Sequence, residues 1–354
     1  MPLQYAGVPR HSAGAQAVNV DETRSMDDSH PVVPAGAAPA THLQWRAEAL
    51  WQQLEPYLPS LSVEVLARAE STNTLLLERA RLGGGRHDAP VTTPGQLEAL
   101  GQHGRDAIDG AGPFGRRAGD TQPALLVAEH QTLGRGRQGR SWHSSAGDSL
   151  TFSLCLPLAP RDWSGLSLAV GVTLADALEP PEPGREPRLQ LKWPNDLWLA
   201  DAPGRGRKLG GVLIETIVVG KQRMVVVGVG LNVALPLLPP HVELTHGLAS
   251  LHELGPRLTA PVALHRVALP LVKALHQFAR EGFAGFAAAY ARRDLLRGQQ
   301  VTAIDPAASD SALVGTVEGV SRSGSLLLRV GTALHLVSSG EVSIRMAEPG
   351  AGKA

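Results

Sequence analysis

The chain has 354 residues, 43 % of them apolar, enough for two modest domains with a sizeable core. Its 33 Lys+Arg balance 33 Asp+Glu, which excludes a global pull toward nucleic acid or acidic membranes, so any anion site must be local. The single cysteine, Cys155, excludes an internal disulfide, and the absence of a signal-type N-terminus or a membrane-length apolar run leads to a cytoplasmic expectation.

Residues 1–40 are rich in Ala, Pro, Val, His and Ser and lack periodic apolar positions, so a disordered tail is expected. Leu43, Ala47, Leu50 and Leu54 recur at helical spacing, which predicts an amphipathic helix over 42–55 ended by Pro56. Leu61, Val63 and Val65 alternate as in a strand. In STNTLLLERARL, Ser71 or Thr72 caps a short helix running to about Leu82. Residues 83–123 open with GGGRHDAP, close with GAGPFGRRAGDTQP, and read as a flexible surface insertion.

Strands follow at ALLVAEH and LTFSLCLPL, then a buried helix over 164–178. LQLKW, LWLA, KLGGVLIETIVV and RMVVVGVGLNV are strand-like runs joined by PND, a Gly/Arg loop at 203–207 and GK at 220–221. Such short links predict an antiparallel meander. Helical spacing returns over 261–291, with a kink expected at Pro270. From Gln299 onward the chain is all short β, as in a small barrel.

Three features point to chemistry. In LQLKW, Leu189, Leu191 and Trp193 share one face while Gln190 and Lys192 share the other, so Lys192 is a rigid point charge beside the PND turn. It suits a carboxylate or phosphate; an ordinary solvated sheet lysine is the plain alternative. Gly228 and Gly230 alternate on one strand, with Asn232 continuing their face. Bare backbone there implies close approach of a ligand or another chain segment, with a bulge or tight helix packing as the alternative. Lastly, GRGRQGRSW at 134–142 joins three arginines to three glycines between core strands. Guanidinium forks and inward-turned N–H groups suit an anion, and Trp142 is available as an anchor. It fits neither a P-loop nor a dinucleotide fingerprint. A solvated loop or a nucleic-acid tether remains open on this segment alone.

Taken together, STN at 71–73, EHQTLGRGRQGRSW at 129–142, KWPNDL at 192–197, KLGGVLIE at 208–215, GVGLNV at 228–233 and GEVSIR at 340–345 resemble the biotin–protein ligase family, over roughly 60 to 345. The resemblance implies an α+β fold: a mainly antiparallel or mixed sheet with helices on one face, class II synthetase-like, plus a C-terminal SH3-like β-barrel. The expected layout is a tail at 1–40, a catalytic domain at 41–295 and the barrel at 296–347.

The implied reaction forms biotinyl-5′-AMP from biotin and Mg-ATP, then moves biotin to a lysine of a biotin carboxyl carrier domain. By this resemblance Lys192, Arg135 and Arg137 carry catalysis. Ser71, Thr72, Asn73, Gln131, Gly134, Gly136, Gly211, Gly228 and Gly230 join them around biotin. Arg140, Trp142 and Asn232 join Arg137 and Lys192 around ATP or the adenylate. No protein-held metal site, covalent nucleophile or membrane contact is expected, and the oligomeric state is monomer or homodimer. The N-terminal stretch has one amphipathic helix and no second helix to enter a groove, so no nucleic acid is expected. A lipoate–protein ligase, a non-enzymatic biotin-responsive regulator and an RNA-binding module are the rival readings.

Overall fold

The computed structural model describes residues 43–83, 121–236, 247–304, 312–338 and 343–346, all within one compact unit, Leu43–Ala354. The expected tail at 1–40 and most of the 83–123 insertion lie outside the described residues. Among the described residues no helix is long and apolar enough to cross a membrane.

The first helix, α1 (Ala47–Leu54), starts later than its periodicity suggests, because Arg46 before it is left-handed. The alternating run at 61–65 extends into β1 (Ser62–Ala69), followed by α2 (Thr72–Gly83). β2 (Ala124–Gln131) then pairs with β1 in parallel, which needs a crossover connection, and α2 begins it. The glycine–arginine segment is a small ribbon: β3 (Gly134–Arg135), a tight turn, and β4 (Ser141–Trp142). Next come β5 (Ser149–Pro157), the buried α3 (Leu166–Leu178), β6 (Leu189–Lys192), β7 (Asp196–Ala202), β8 (Arg205–Val219) and β9 (Gln222–Asn232).

These strands form one seven-stranded sheet in the order β1-β2-β5-β9-β8-β7-β6, antiparallel except for its first pair. The last four are the predicted meander. The helical spacing over 261–291 resolves into α4 (Ala260–Glu281) and α5 (Ala287–Arg293). Pro270 lies inside α4, and the helix ends at Gly282, whose φ is 65°. The tail end forms a five-stranded antiparallel sheet from β10 (Gln300–Ile304), β11 (Leu313–Val320), β12 (Leu326–Val330), β13 (Ala333–Val337) and β14 (Ser343–Met346), as the SH3-like expectation requires.

Alternation divides the large sheet into two faces. Leu125, Val127, Phe152, Leu154, Val227 and Val229 point into the main core with α1, α3 and α4. Each such fully buried side chain contributes about 1.5–3 kcal/mol. Leu126, Cys155, Met224 and Val226 point the other way, where Leu76, Leu77 and Ala80 of α2 cover them. Burial there pushes the Cys155 thiol up to about 12, leaving it an inert core group. Beyond α2, the same face offers Gly228 and Gly230 in place of apolar side chains, and a cleft opens over them, with Ser153 buried beneath Thr72 and Asn73.

Candidate functional site

The cleft measures about 1230 Å³, larger than the roughly 300–1,000 Å³ usual for one small ligand. Its two ends differ in chemistry.

At the first end lie Ser71, just before α2, and Thr72 and Asn73 in its first turn, all buried. Thr72 donates to Gln131 Oε1 from its backbone N–H (2.8 Å) and its hydroxyl (3.1 Å). Ser153 Oγ lies 2.6 Å from both Thr72 Oγ1 and Asn73 Oδ1. Asn73 Nδ2 donates to Glu215 Oε2 at 2.9 Å, and Gln131 N–H donates to Ser144 Oγ at 2.8 Å. A Cβ on Gly228 would sit 2.2 Å from Asn73 Oδ1, and one on Gly230 would sit 2.6 Å from the Trp142 ring. The bare strand face therefore seats Asn73 and the indole, which in turn line the cleft.

At the second end stands Lys192, only 6 % exposed, with Nζ 4.5 Å from the centroid of the Trp198 ring. Burial pulls its ammonium down from 10.5 to about 8; Asp196 across the turn opposes this, and Lys208 and Arg140 add to it. Keeping that charge in the fold costs about 3 kcal/mol, which an incoming anion would offset. Lys208 Nζ pairs with Asp196 Oδ1 at 2.8 Å. The ribbon brings Arg137 and Arg140 nearby, while Arg135 reaches the Glu215 carboxylate that also holds Asn73. Arg135 pairs with Glu215 at 2.9 Å, Arg137 donates to Asn195 Oδ1 at 3.2 Å, and Arg140 donates to Gln138 Oε1 at 3.1 Å. Gln138 itself is left-handed at φ 56°, a costly conformation for a non-glycine residue at a ligand-facing turn. Arg205 of the β7–β8 hairpin and Arg345 of β14 complete a cationic rim.

Of the residues predicted from sequence, Ser71, Thr72, Asn73, Gln131, Arg135, Gly136, Arg137, Arg140, Trp142, Lys192, Gly211, Gly228 and Gly230 all line this one cleft. Gly134 and Asn232 are not among its lining residues. Gly134 lies under Trp142, and Asn232 is buried with its amide donating to Ala249 O (3.0 Å) and Lys208 O (3.4 Å). Sequence reasoning passed over Ser153, Asn195, Asp196, Lys208 and Arg345. Ser153 had a signal: Ser149, Thr151 and Ser153 put a polar residue at every second position of an otherwise apolar strand. Asp196 and Lys208 sit within motifs already noted, but their pairing depends on the β7–β8 register.

The family model for the biotin/lipoate A/B protein ligase family matches residues 118–232, and the biotin protein ligase C-terminal domain model matches 297–345. A biotin–[acetyl-CoA-carboxylase] ligase of Mycobacterium tuberculosis is 34 % identical over 70 % of this chain and 88 % of its own length. The bifunctional ligase/repressor BirA of Salmonella typhimurium is 33 % identical over 66 % of this chain and 68 % of its own length. The fold is also that of a biotin protein ligase from Aquifex aeolicus solved with biotin and ATP, at 24 % identity and a TM-score of 0.55, covering 81 % of this chain and 99 % of that one.

Proposed function

This chain belongs to the biotin protein ligase family, and we propose that it joins biotin to a carrier lysine at the expense of ATP, with the two ends of the cleft dividing the work. The observation that carries the division is Lys192, a buried ammonium at the end of β6, facing an arginine-bearing ribbon across a cleft with room for two ligands.

The neutral end takes the biotin head group. A ureido ring offers N–H donors and a carbonyl acceptor, and Ser71, Thr72, Asn73 and Gln131 answer with hydroxyls and amides, held in place by Ser153 behind them. Lipoate's dithiolane offers neither and would gain no hydrogen bond from these groups, which disfavours that substrate.

The cationic end takes the reacting carboxylate and the nucleotide phosphates. A biotin carboxylate oxygen attacks the α-phosphorus, and the bond to pyrophosphate breaks. Lys192, Lys208 and Arg137 lower the repulsion between those anions. Magnesium neutralises triphosphate charge when bound. Asp196 is the carboxylate lining the cleft, and among the described residues no three His, Cys, Asp or Glu side chains converge. That donor set fits an ion carried mainly by phosphate oxygens. Trp142, which lines the cleft on the ribbon that also carries Arg137 and Arg140, is assigned to the nucleotide as the resemblance implies.

In the second step the ε-amine of the carrier lysine attacks the acyl carbon and AMP leaves. The proton released by the amine is assigned to Asp196, the carboxylate that lines the cleft beside Lys208. The partner is a carboxyl carrier domain, and the setting is the cytoplasm. The test is biotin-dependent ATP–pyrophosphate exchange, with lipoate as the competitor, followed by streptavidin detection of a carrier domain incubated with biotin and Mg-ATP. Exchange with lipoate and not with biotin would overturn the assignment.

A further inference from the structure

Strand β6 carries Lys192 and is the outermost strand of the large sheet. An edge strand only four residues long is poorly held by its one neighbour, and its free side needs partners. The segment leading into the C-terminal sheet supplies them. Arg293, 1 % exposed, donates to Leu189 O at 2.6 Å, and Leu295 N–H donates to Leu191 O at 3.1 Å. Leu189 N–H donates to Glu179 Oε2 at 2.8 Å, and Glu179 also pairs with Arg293.

A second hold comes from the C-terminal sheet itself. Trp193, next to Lys192 and 1 % exposed, donates its indole N–H to Gly324 O at 3.0 Å. Gly324 lies in the turn between β11 and β12 with φ +82°, and a Cβ there would sit 2.7 Å from Gly165 Cα and 3.2 Å from Leu168 Cδ1. The turn is thus keyed against the start of α3 by backbone contact, and the key ends on the side chain beside the lysine.

Resting on the ligase reading above, we infer that the C-terminal sheet is a positioning element for Lys192, fixing the end of β6 through Gly324 and Trp193 from the face opposite the ammonium. Trp193 and Gly324 are positioning residues; Lys192 touches the reacting anions. The charged groups facing the lysine are Asp196 on β7, Lys208 on β8 and Arg140 on the ribbon. None of them belongs to the C-terminal sheet, so a change confined to Gly324 reaches the ammonium through movement of the strand end that carries it, which admits water.

The test uses the full chain and two variants, Trp193→Phe, which removes the indole N–H, and Gly324→Ala, which wedges the turn off Gly165. Competitive acetylation of Lys192 across pH, read by mass spectrometry, reports its titration without any turnover. The expected midpoint is about 8 in the unaltered chain. In both variants it should rise toward the ordinary lysine value of about 10.4. Biotin-dependent pyrophosphate exchange should fall about tenfold or more through kcat, with the KM for biotin unchanged. Gly331→Ala, at the β12–β13 turn with nothing within 4 Å of an added Cβ, strains the same sheet away from Trp193 and serves as the control. If the midpoint stays near its starting value in both variants, or moves equally in Gly331→Ala, the C-terminal sheet has a merely structural role and the inference is overturned. Loss of biotin-dependent exchange in the unaltered chain would instead sink the ligase reading and leave the acetylation result standing.

Discussion

At one end of the cleft, Thr72, Asn73, Gln131 and Ser153 are neutral, buried and bonded to one another; at the other, Lys192 is buried with its charge only partly compensated, and the arginines ride on a ribbon of two-residue strands. The first end has spent its polar groups on mutual order, so it can recognise a neutral head group with little rearrangement. The second holds an electrostatic debt that an anion offsets on arrival, so its binding is coupled to the charge developed in the reaction. Recognition and activation are thereby separated along about the length of one extended ligand.

Replacing the lysine breaks the charged end most severely. Lys192→Met should lower biotin-dependent exchange by about 10³-fold, since a charge aimed at the reacting centre is lost. The same variant should be more stable at pH 7, by up to about 3 kcal/mol. The sign follows from the depressed titration: the folded chain holds this proton less tightly than the unfolded one. Stability of the unaltered chain therefore rises as pH climbs from about 8 to 10.5, and the advantage of Lys192→Met fades over that window. Thermal melts at pH 7 and 10 check this, and an unchanged difference between them would contradict it.

Ser153→Ala strikes the neutral end. With Thr72 and Asn73 losing a shared partner, KM for biotin should rise about 10- to 100-fold with kcat little changed. A fall in kcat instead would mean that the two ends are not separable. Arg137→Gly tests the ribbon: release of biotinyl-AMP should quicken about tenfold, seen as promiscuous labelling of bystander proteins. Smallest is Asn232→Ala. Its amide bonds the backbone carbonyls of Lys208 and Ala249 and does not line the cleft, so a loss of about 1 kcal/mol in stability is expected, with exchange within about threefold of normal. A large rise in KM for ATP would return Asn232 to the site.

Much of this architecture can be read from local pattern. Each C-terminal strand, the β6–β9 meander and the buried α3 follow from periods of two or 3.6, because alternation and helical spacing are properties of neighbouring residues. The break at Gly282 was not legible. Apolar spacing continues through Phe283, Phe286 and Tyr290, which all reach the core from the second helix and its lead-in turn as well as they would from one long helix. Nor was the true use of Gly228 and Gly230, since the neighbours that need their bare backbone, Asn73 and Trp142, are far away in the chain.

The sequence by itself determined which chemistry is available: a lysine locked on a strand, guanidiniums on a glycine-rich turn, and hydroxyls and amides at a helix start. Tertiary structure alone decided how those groups are charged and held. Lys192 is desolvated where the sheet buries it against Trp198, and Ser153 matters because a sheet and a helix meet over it. Burial and pairing arise between residues distant in the chain, and so do the shifts in protonation and position on which the reaction depends.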